Sequence, residues 1–383
     1  MIGNFKIVPR PPRRTLICLL GTCIVLAALV VCRHTSESIF EIRSRENNPF
    51  LSNHRIMHST INDTLGFSKV FVVGLPGRTD KRDAFALTGT LTGFHVEFVD
   101  GVQGESVPDK ALPAGIDRQA LRNENLGSWR GHMNVVRRIV EEDIESALIV
   151  EDDMDWDVRL KTQLKEVAQG ARSILSPTGG TQLSSPYGDD WDVLWLGHCG
   201  EIFPETLPEN LGKPEYPKYT IYNDETVPPL SRITGLVDFT RYPEFTRWIH
   251  VSGGPICSFA YALSQSGARK VLFDLSVDHL RGAFDNALAD LCRDGASGNP
   301  GGLRAKCISV TPPIFFHHRA KGRVTRDSDI QDFESEDQPL RAKGTTENIV
   351  WSARNNIRNM ILGLEMENQF EGQSSHDGNM HIN

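Results

Sequence analysis

The sequence predicts an α/β domain carried behind one membrane-spanning helix. Two short apolar runs, KVFVV at residues 69–73 and HVEFVDG at 95–101, each end in turn-forming residues, as strands feeding loops do. An amphipathic stretch then leads directly into a third apolar run, ALIV at 147–150, so β and α patterns alternate. Residues 15–32, TLICLLGTCIVLAALVVC, carry no charge and are long enough to cross a bilayer as a helix.

The 383 residues, 39% of them hydrophobic, suffice for one large core or two modest ones. A formal charge of -8 and a pI near 5.9 argue against a general nucleic-acid binder, and none is expected as a partner.

Residues 1–14 read as a cytoplasmic tail, because Lys6, Arg10, Arg13 and Arg14 precede the span while the far flank mixes Arg33, Arg43 and Arg45 with Glu37 and Glu41. The chain is then a single-pass type II protein of the Golgi or endoplasmic reticulum membrane, anchored by residues 15–32, with its remainder lumenal. A cleaved signal peptide fits less well, since the apolar segment is longer than a usual one and no A-x-A-like site follows. Residues 33–66 are polar and aperiodic, as a stem would be. The main domain is expected over 67–365, with a disordered tail at 366–383.

Within that domain, Trp129, Met133, Val136 and Val140 recur at helical spacing behind a Ser128 or Asn125 cap. ALIV is apolar throughout and bounded by polar residues, the pattern of a strand buried on both faces. WDVLWLG at 191–197 is a further strand. Residues 201–248 hold seven prolines and many aromatics with little periodicity, which suggests an insert that covers or binds a ligand. ICSFAYALS reads as strand, QSGARKVLFDL and AFDNALADLC as helices, and CISVTPPIFFHH as the last strand.

Seven cysteines divide into Cys18, Cys23 and Cys32 in the span and Cys199, Cys257, Cys292 and Cys307 beyond it. Four in an oxidising compartment allow two disulfides. Cys292 and Cys307 bracket the glycine-rich DGASGNPGGLRAK, which makes them the easiest pair. Asn62, in NDT, is a glycosylation acceptor if that orientation holds.

ALIV runs straight into Glu151, Asp152, Asp153 and Asp155. Carboxylates this close raise one another's pKa unless a cation or hydrogen-bond donors compensate, and ligands collect at the carboxyl ends of strands in open α/β sheets. An EF-hand loop is excluded, because its sixth position is Val158 and its twelfth Leu164. A receiver domain lacks its phosphate-accepting Asp after VLWLG. A haloacid-dehalogenase phosphatase would find Asp153 and Asp155, but Trp156 and Asp157 spoil what should follow. A site for Mg2+ or Mn2+ and a nucleotide diphosphate suits acidic residues leaving a buried strand, although a solvated, helix-capping acidic turn would look similar.

The ordered set KVFVVGLPGRTDKRD, FVDGVQG, LGSWRGHMNVVRRIV, ALIVEDDMDW and WDVLWLGHCGE resembles glycosyltransferase family 25, the lipopolysaccharide and collagen galactosyltransferase type, particularly its fungal members. The family's N-L-P-x-R opening is here Gly74-Leu75-Pro76-Gly77-Arg78. Its G-C-x-x-S-H becomes Gly127 to His132 with neither Cys nor Ser kept.

The resemblance implies a GT-A type, Rossmann-like mixed sheet flanked by helices. It also implies inverting transfer of a hexose, commonly galactose, from a UDP-sugar donor to a glycan or glycoprotein acceptor. Carried onto this chain, it places Glu151, Asp152 and Asp153 at the diphosphate, with Asp153 a ligand of Mn2+ or Mg2+ and His317 completing the metal shell; His318 is a neighbour to weigh. Leu75, Pro76, Arg78 and Arg82 would approach the nucleotide, and His132 the donor. The general base would be Asp285, with Asp278 and Asp290 as rivals. Two other classes remain open: a phosphatase or nucleotide hydrolase using Asp153 and Asp155, and a non-catalytic carbohydrate-binding scaffold.

Overall fold

The computed structural model describes residues 60, 62–175, 185–324, 327–330 and 340–370. The expected cytoplasmic tail, membrane span and most of the stem lie outside these residues. Among the described residues no helix is long and apolar enough to cross a membrane.

In chain order the elements begin β1 (Lys69–Gly74), α1 (Thr79–Leu91), β2 (Glu97–Asp100), α2 (Asn123–Glu141), β3 (Ser146–Glu151), β4 (Met154–Trp156), α3 (Leu160–Leu175) and β5 (Val193–Gly197). They continue with β6 (Lys218–Ile221), β7 (Arg247–Val251), β8 (Ala260–Ser264), α4 (Gln265–Leu272), α5 (Phe284–Ser297), β9 (Cys307–Thr311), β10 (Phe315–Arg319), β11 (Thr345–Thr346) and α6 (Ile357–Leu362). The main sheet has eight strands in the order β2-β1-β3-β8-β5-β9-β7-β6. Its β2-β1-β3 end is parallel, and antiparallel β8 separates it from the parallel pair β5-β9. A second sheet, β11-β10-β4, is antiparallel and lies where β3 delivers the chain.

The apolar runs are continuous because helices cover both faces of the sheet. Along β3, Ala147 and Ile149 join one core cluster while Leu148 and Val150 join the other; β1 divides the same way, with Phe71 and Val73 against Val70 and Val72. Trp129, Met133 and Val136 of α2 fill the first core, and Val140 packs at its margin. Phe85 of α1 and Leu160, Leu164 and Val167 of α3 fill the second. Each fully buried side chain of this size stabilises the fold by roughly 1.5–3 kcal/mol.

Several sequence expectations need correction. α2 starts at Asn123 after the extended Arg122, with no side-chain cap, so Asn125 and Ser128 lie inside it. Packing sets its start: Leu126 is wholly buried one turn before Trp129, extending the apolar stripe. The stem ends earlier than residue 66, because Leu65 is fully buried, its carbonyl accepts the Tyr187 hydroxyl at 2.6 Å, and Phe67 stacks on the Tyr187 ring. The domain also reaches beyond 365: Gln369 Nε2 donates to the Thr346 carbonyl at 2.7 Å and Asn356 Nδ2 to that of Glu367 at 3.0 Å. CISVTPPIFFHH forms two strands, not one, since Pro312 and Pro313 have no N–H to continue a ladder. Two disulfides form, the expected Cys292–Cys307 and also Cys199–Cys257.

Candidate active site

The register of β1 on β3 pairs Val73 with Glu151, so the GLPGR turn and the acidic run leave the sheet side by side. The Asp152 N–H donates to the Val73 carbonyl at 3.1 Å and fixes the crossing. Gly74 is required there: a Cβ at this position would lie 1.9 Å from Asp152 Oδ2. The glycine that departs from the family's opening motif is thus the space the second acid fills.

Two connected clefts open from this point. The first, of about 870 Å3, is lined by Leu75, Lys81, His132, Glu151, Asp152 and Asp153 among others. The second, of about 1580 Å3, shares Glu151 and Asp153 and adds Asp285 and His317. Glu151 and Asp153 therefore stand on the wall common to both.

Asp153 Oδ2 accepts from Lys81 Nζ at 2.9 Å and lies 3.7 Å from His317 Nε2. Burial pushes this carboxyl up, yet Lys81 and His317 hold it below the usual range. Asp152 is pushed up to about 7 by burial and then by Asp153, against the pull of Lys81. Lys81 is only 9% exposed, and its ammonium also meets Asp329 at 2.7 Å and Asp152 at 3.7 Å. Burial would lower its pKa, but Asp153 and Asp152 together raise it above the ordinary value. The lysine is the principal site residue that sequence reasoning missed. Its position in the first turn after β1, facing the end of parallel β3, is the signal that was there to read.

Glu151 accepts from Ser258 Oγ at 2.7 Å and lies 3.7 Å from His132 Nε2. His132 is buried, shares a hydrogen bond of 2.9 Å between Nδ1 and the Tyr261 hydroxyl, and stacks on Phe284 at 4.4 Å. Asp285, in the first turn of α5, accepts from the Cys257 N–H at 3.0 Å and faces the second cleft. Its rivals do not line either cleft: Asp278 pairs with His279 at 2.7 Å, and Asp290 is absent from both walls.

The turn is only partly gathered in. Leu75 lines the first cleft, and Arg78 binds Asp80 and Asp329 at its side. Pro76 is exposed. Arg82 points away, donating to the Gly74 carbonyl at 2.9 Å and to Asp100 at 2.6 Å beside the Phe98 ring. From the 201–248 insert, Thr234 alone lines the second cleft, while Phe203, Phe239, Tyr242 and Trp248 pack on one another. Phe203 and Trp248 belong to the core, Tyr222 and Tyr242 are exposed at 62% and 38%, and no aromatic of the insert lines either cleft.

Asp155 is fully buried and both its oxygens are engaged. Oδ1 accepts the N–H groups of Trp156 and Arg354 at 2.8 and 3.0 Å; Oδ2 accepts the Thr346 hydroxyl at 2.6 Å and that of Ser352. It ties the 340–370 segment to β4 and cannot serve the phosphatase chemistry that paired it with Asp153. His318 likewise turns from the clefts to Thr346, 2.8 Å away.

Asp153 Oδ1 is buried without a hydrogen-bond partner among the described residues. A hard divalent cation is commonly held by one or two carboxylates together with substrate phosphates, and an unpartnered carboxylate oxygen near an imidazole fits that donor set. The group of three mutually close acidic and imidazole atoms among the described residues is Asp274, Asp278 and His279, none of which lines either cleft.

No family model matches the chain. It is 27% identical over 146 residues to procollagen galactosyltransferase 1 of Danio rerio, a match covering 35% of this chain and 22% of that relative. Procollagen galactosyltransferase 2 of Mus musculus is 22% identical over 146 residues, 35% of this chain and 21% of the relative. A glycosyltransferase 25 family member of Aedes aegypti is 24% identical over 146 residues, 35% of this chain and 22% of the relative. The matched stretch is therefore about a fifth of these relatives' length.

Proposed function

From relatives that support glycosyltransferase family 25, we propose that the chain is a metal-dependent, inverting GT-A hexosyltransferase. It moves a hexose, galactose by the relatives' names, from a UDP-sugar to a glycan or glycoprotein acceptor. The observation that carries this reading is the meeting of the β1 turn, the acidic end of β3 and His317 around two clefts that share Asp153.

Asp153 and His317 would hold Mn2+ or Mg2+, which supplies neutralisation of the leaving diphosphate. The first cleft takes the nucleotide, with Leu75 on its wall. Glu151 and the buried His132, fixed by Tyr261 and Phe284, orient the sugar. In the second cleft Asp285 accepts the proton of the acceptor hydroxyl as that oxygen attacks the anomeric carbon; the bonding pair leaves with the nucleotide diphosphate. The two disulfides accord with a lumenal domain on a type II anchor of the Golgi or endoplasmic reticulum.

The test is nucleotide release from a panel of UDP- and GDP-sugars, with and without Mn2+. Metal-dependent release from one donor is expected. Donor binding without turnover under any metal would favour the carbohydrate-binding scaffold instead.

A further inference from the structure

Lys81 Nζ is shared by three carboxylates, those of Asp329, Asp153 and Asp152 at 2.7, 2.9 and 3.7 Å. Two of these are fixed where β3 ends. The third arrives from residues 327–330, which lie against both clefts: Ser328, Asp329 and Ile330 line the first, and Asp327, Ser328 and Ile330 the second. Four residues on the cleft side of this segment's contacts are basic, although the Asp327 N–H also donates to the Val324 carbonyl at 3.0 Å. Asp329 takes Lys81 and Arg78, Asp327 takes Arg341 at 2.7 Å, its carbonyl lies 3.3 Å from His317 Nε2, and the Ile330 carbonyl accepts from Arg122. Asp329 takes the Lys81 ammonium on Oδ2 and a single Arg78 Nη1 donor on Oδ1, donor types that also suit phosphate oxygens, while Arg78 Nε and Nη2 bind Asp80. Asp329 is the most exposed of the three acids, with 30% of its side chain accessible against 15% for Asp153 and 6% for Asp152. It is the one that can leave without unpacking the sheet.

We propose that Lys81 and Arg78 form the subsite for the ligand's diphosphate, and that Asp329 is its intramolecular competitor, a clasp that the diphosphate must displace. The identity of the ligand as a nucleoside diphosphate rests on the proposed function; the anion subsite does not. While Asp329 is engaged the acidic cluster repels an incoming anion, and its departure returns one ammonium proton of Lys81 to the cleft, with Arg78 at its side.

The experiment titrates UDP and, separately, inorganic pyrophosphate into the intact protein and into Asp329→Asn, with Mn2+ present, by calorimetry. Hydrogen exchange across residues 327–330 is followed in parallel. If the clasp is engaged nine-tenths of the time, its removal tightens both ligands about tenfold, and either ligand speeds exchange of the segment in the wild type. Tightening of pyrophosphate with no UDP binding would keep the clasp and overturn the nucleotide reading. UDP binding that Asp329→Asn leaves unchanged or weakens would overturn the clasp and keep that reading. Absence of binding by both ligands to both proteins would overturn the subsite itself. Asp329 is partly exposed and Asn is nearly isosteric, so the variant is expected to fold; its thermal unfolding is recorded as the control.

Discussion

At the end of β3, Asp152 and Asp153 are buried beside Lys81 and retain a cation within 3.7 Å. Across the sheet, around β5, β7 and β9, Glu201, His198 and His250 are buried more deeply and handle charge differently. Glu201 Oε1 accepts the N–H groups of Ile202, Gly253 and Gly254, at 2.9, 3.2 and 3.0 Å, and burial pushes its carboxyl up to about 7. His198 donates from Nε2 to the Val310 carbonyl at 2.9 Å, and burial pushes its imidazole down to about 4. His250 is driven down further, to about 3. Beside the cleft, Asp153 and Lys81 hold each other charged even though burial pushes Asp152 up to about 7; inside the wall no cation among the described residues faces Glu201, and backbone N–H groups are its partners. Charge conserved against desolvation marks the place where a charged ligand can exchange for an internal partner.

Replacing a residue in each region should have opposite signs. Lys81→Met keeps most of the side-chain volume but strands Asp152 and Asp153 without their cation. The expected loss is roughly 3–5 kcal/mol, the usual result of breaking a buried pair from one side, read as a lower denaturant midpoint at neutral pH. An unchanged midpoint would show that the two acids do not depend on Lys81.

Glu201→Gln should instead stabilise, and only at higher pH. The native carboxyl titrates near 7 against an ordinary 4.5, so between those values the folded protein holds a proton that the unfolded chain has released. Wild-type stability from this group therefore falls as pH rises from about 4.5 to 7 and is lost above that range. The variant lacks this loss and should gain up to about 3 kcal/mol at pH 8, with little difference at pH 4. His198 acts in the other direction. Its contribution is present above pH 6.5 and fades as pH falls toward 4, in variant and wild type alike. A Glu201→Gln gain that did not change with pH would indicate repacking instead of a proton.

The first region was the more legible in the sequence, and the reason is local. β1 and β3 are short runs buried on both faces, so composition alone marks them, and their parallel register brings two chain-local motifs together. What escaped was whatever depends on distant chain. Lys81 looks like one more exposed charge in TDKRD until β3 is beside it, and Asp329 has no motif at all. Asp155 looked like a partner of Asp153 because they are two apart. On β4 that spacing is interrupted by the turn leaving β3, and Asp155 faces Thr346 and Ser352 instead. The aromatic insert was legible in composition but not in direction, since side chains that could stack on a sugar can equally stack on one another.

Whether Asp153 holds a metal for the diphosphate is read from UDP binding to the wild type and to Asp153→Asn, each with and without Mn2+, by calorimetry. Mn2+ should strengthen binding to the wild type and the variant should lose this gain, with affinity about a hundredfold weaker, or roughly 2.8 kcal/mol. UDP binding that ignores both the metal and the substitution would contradict this, and would return the acidic end of β3 to a structural role.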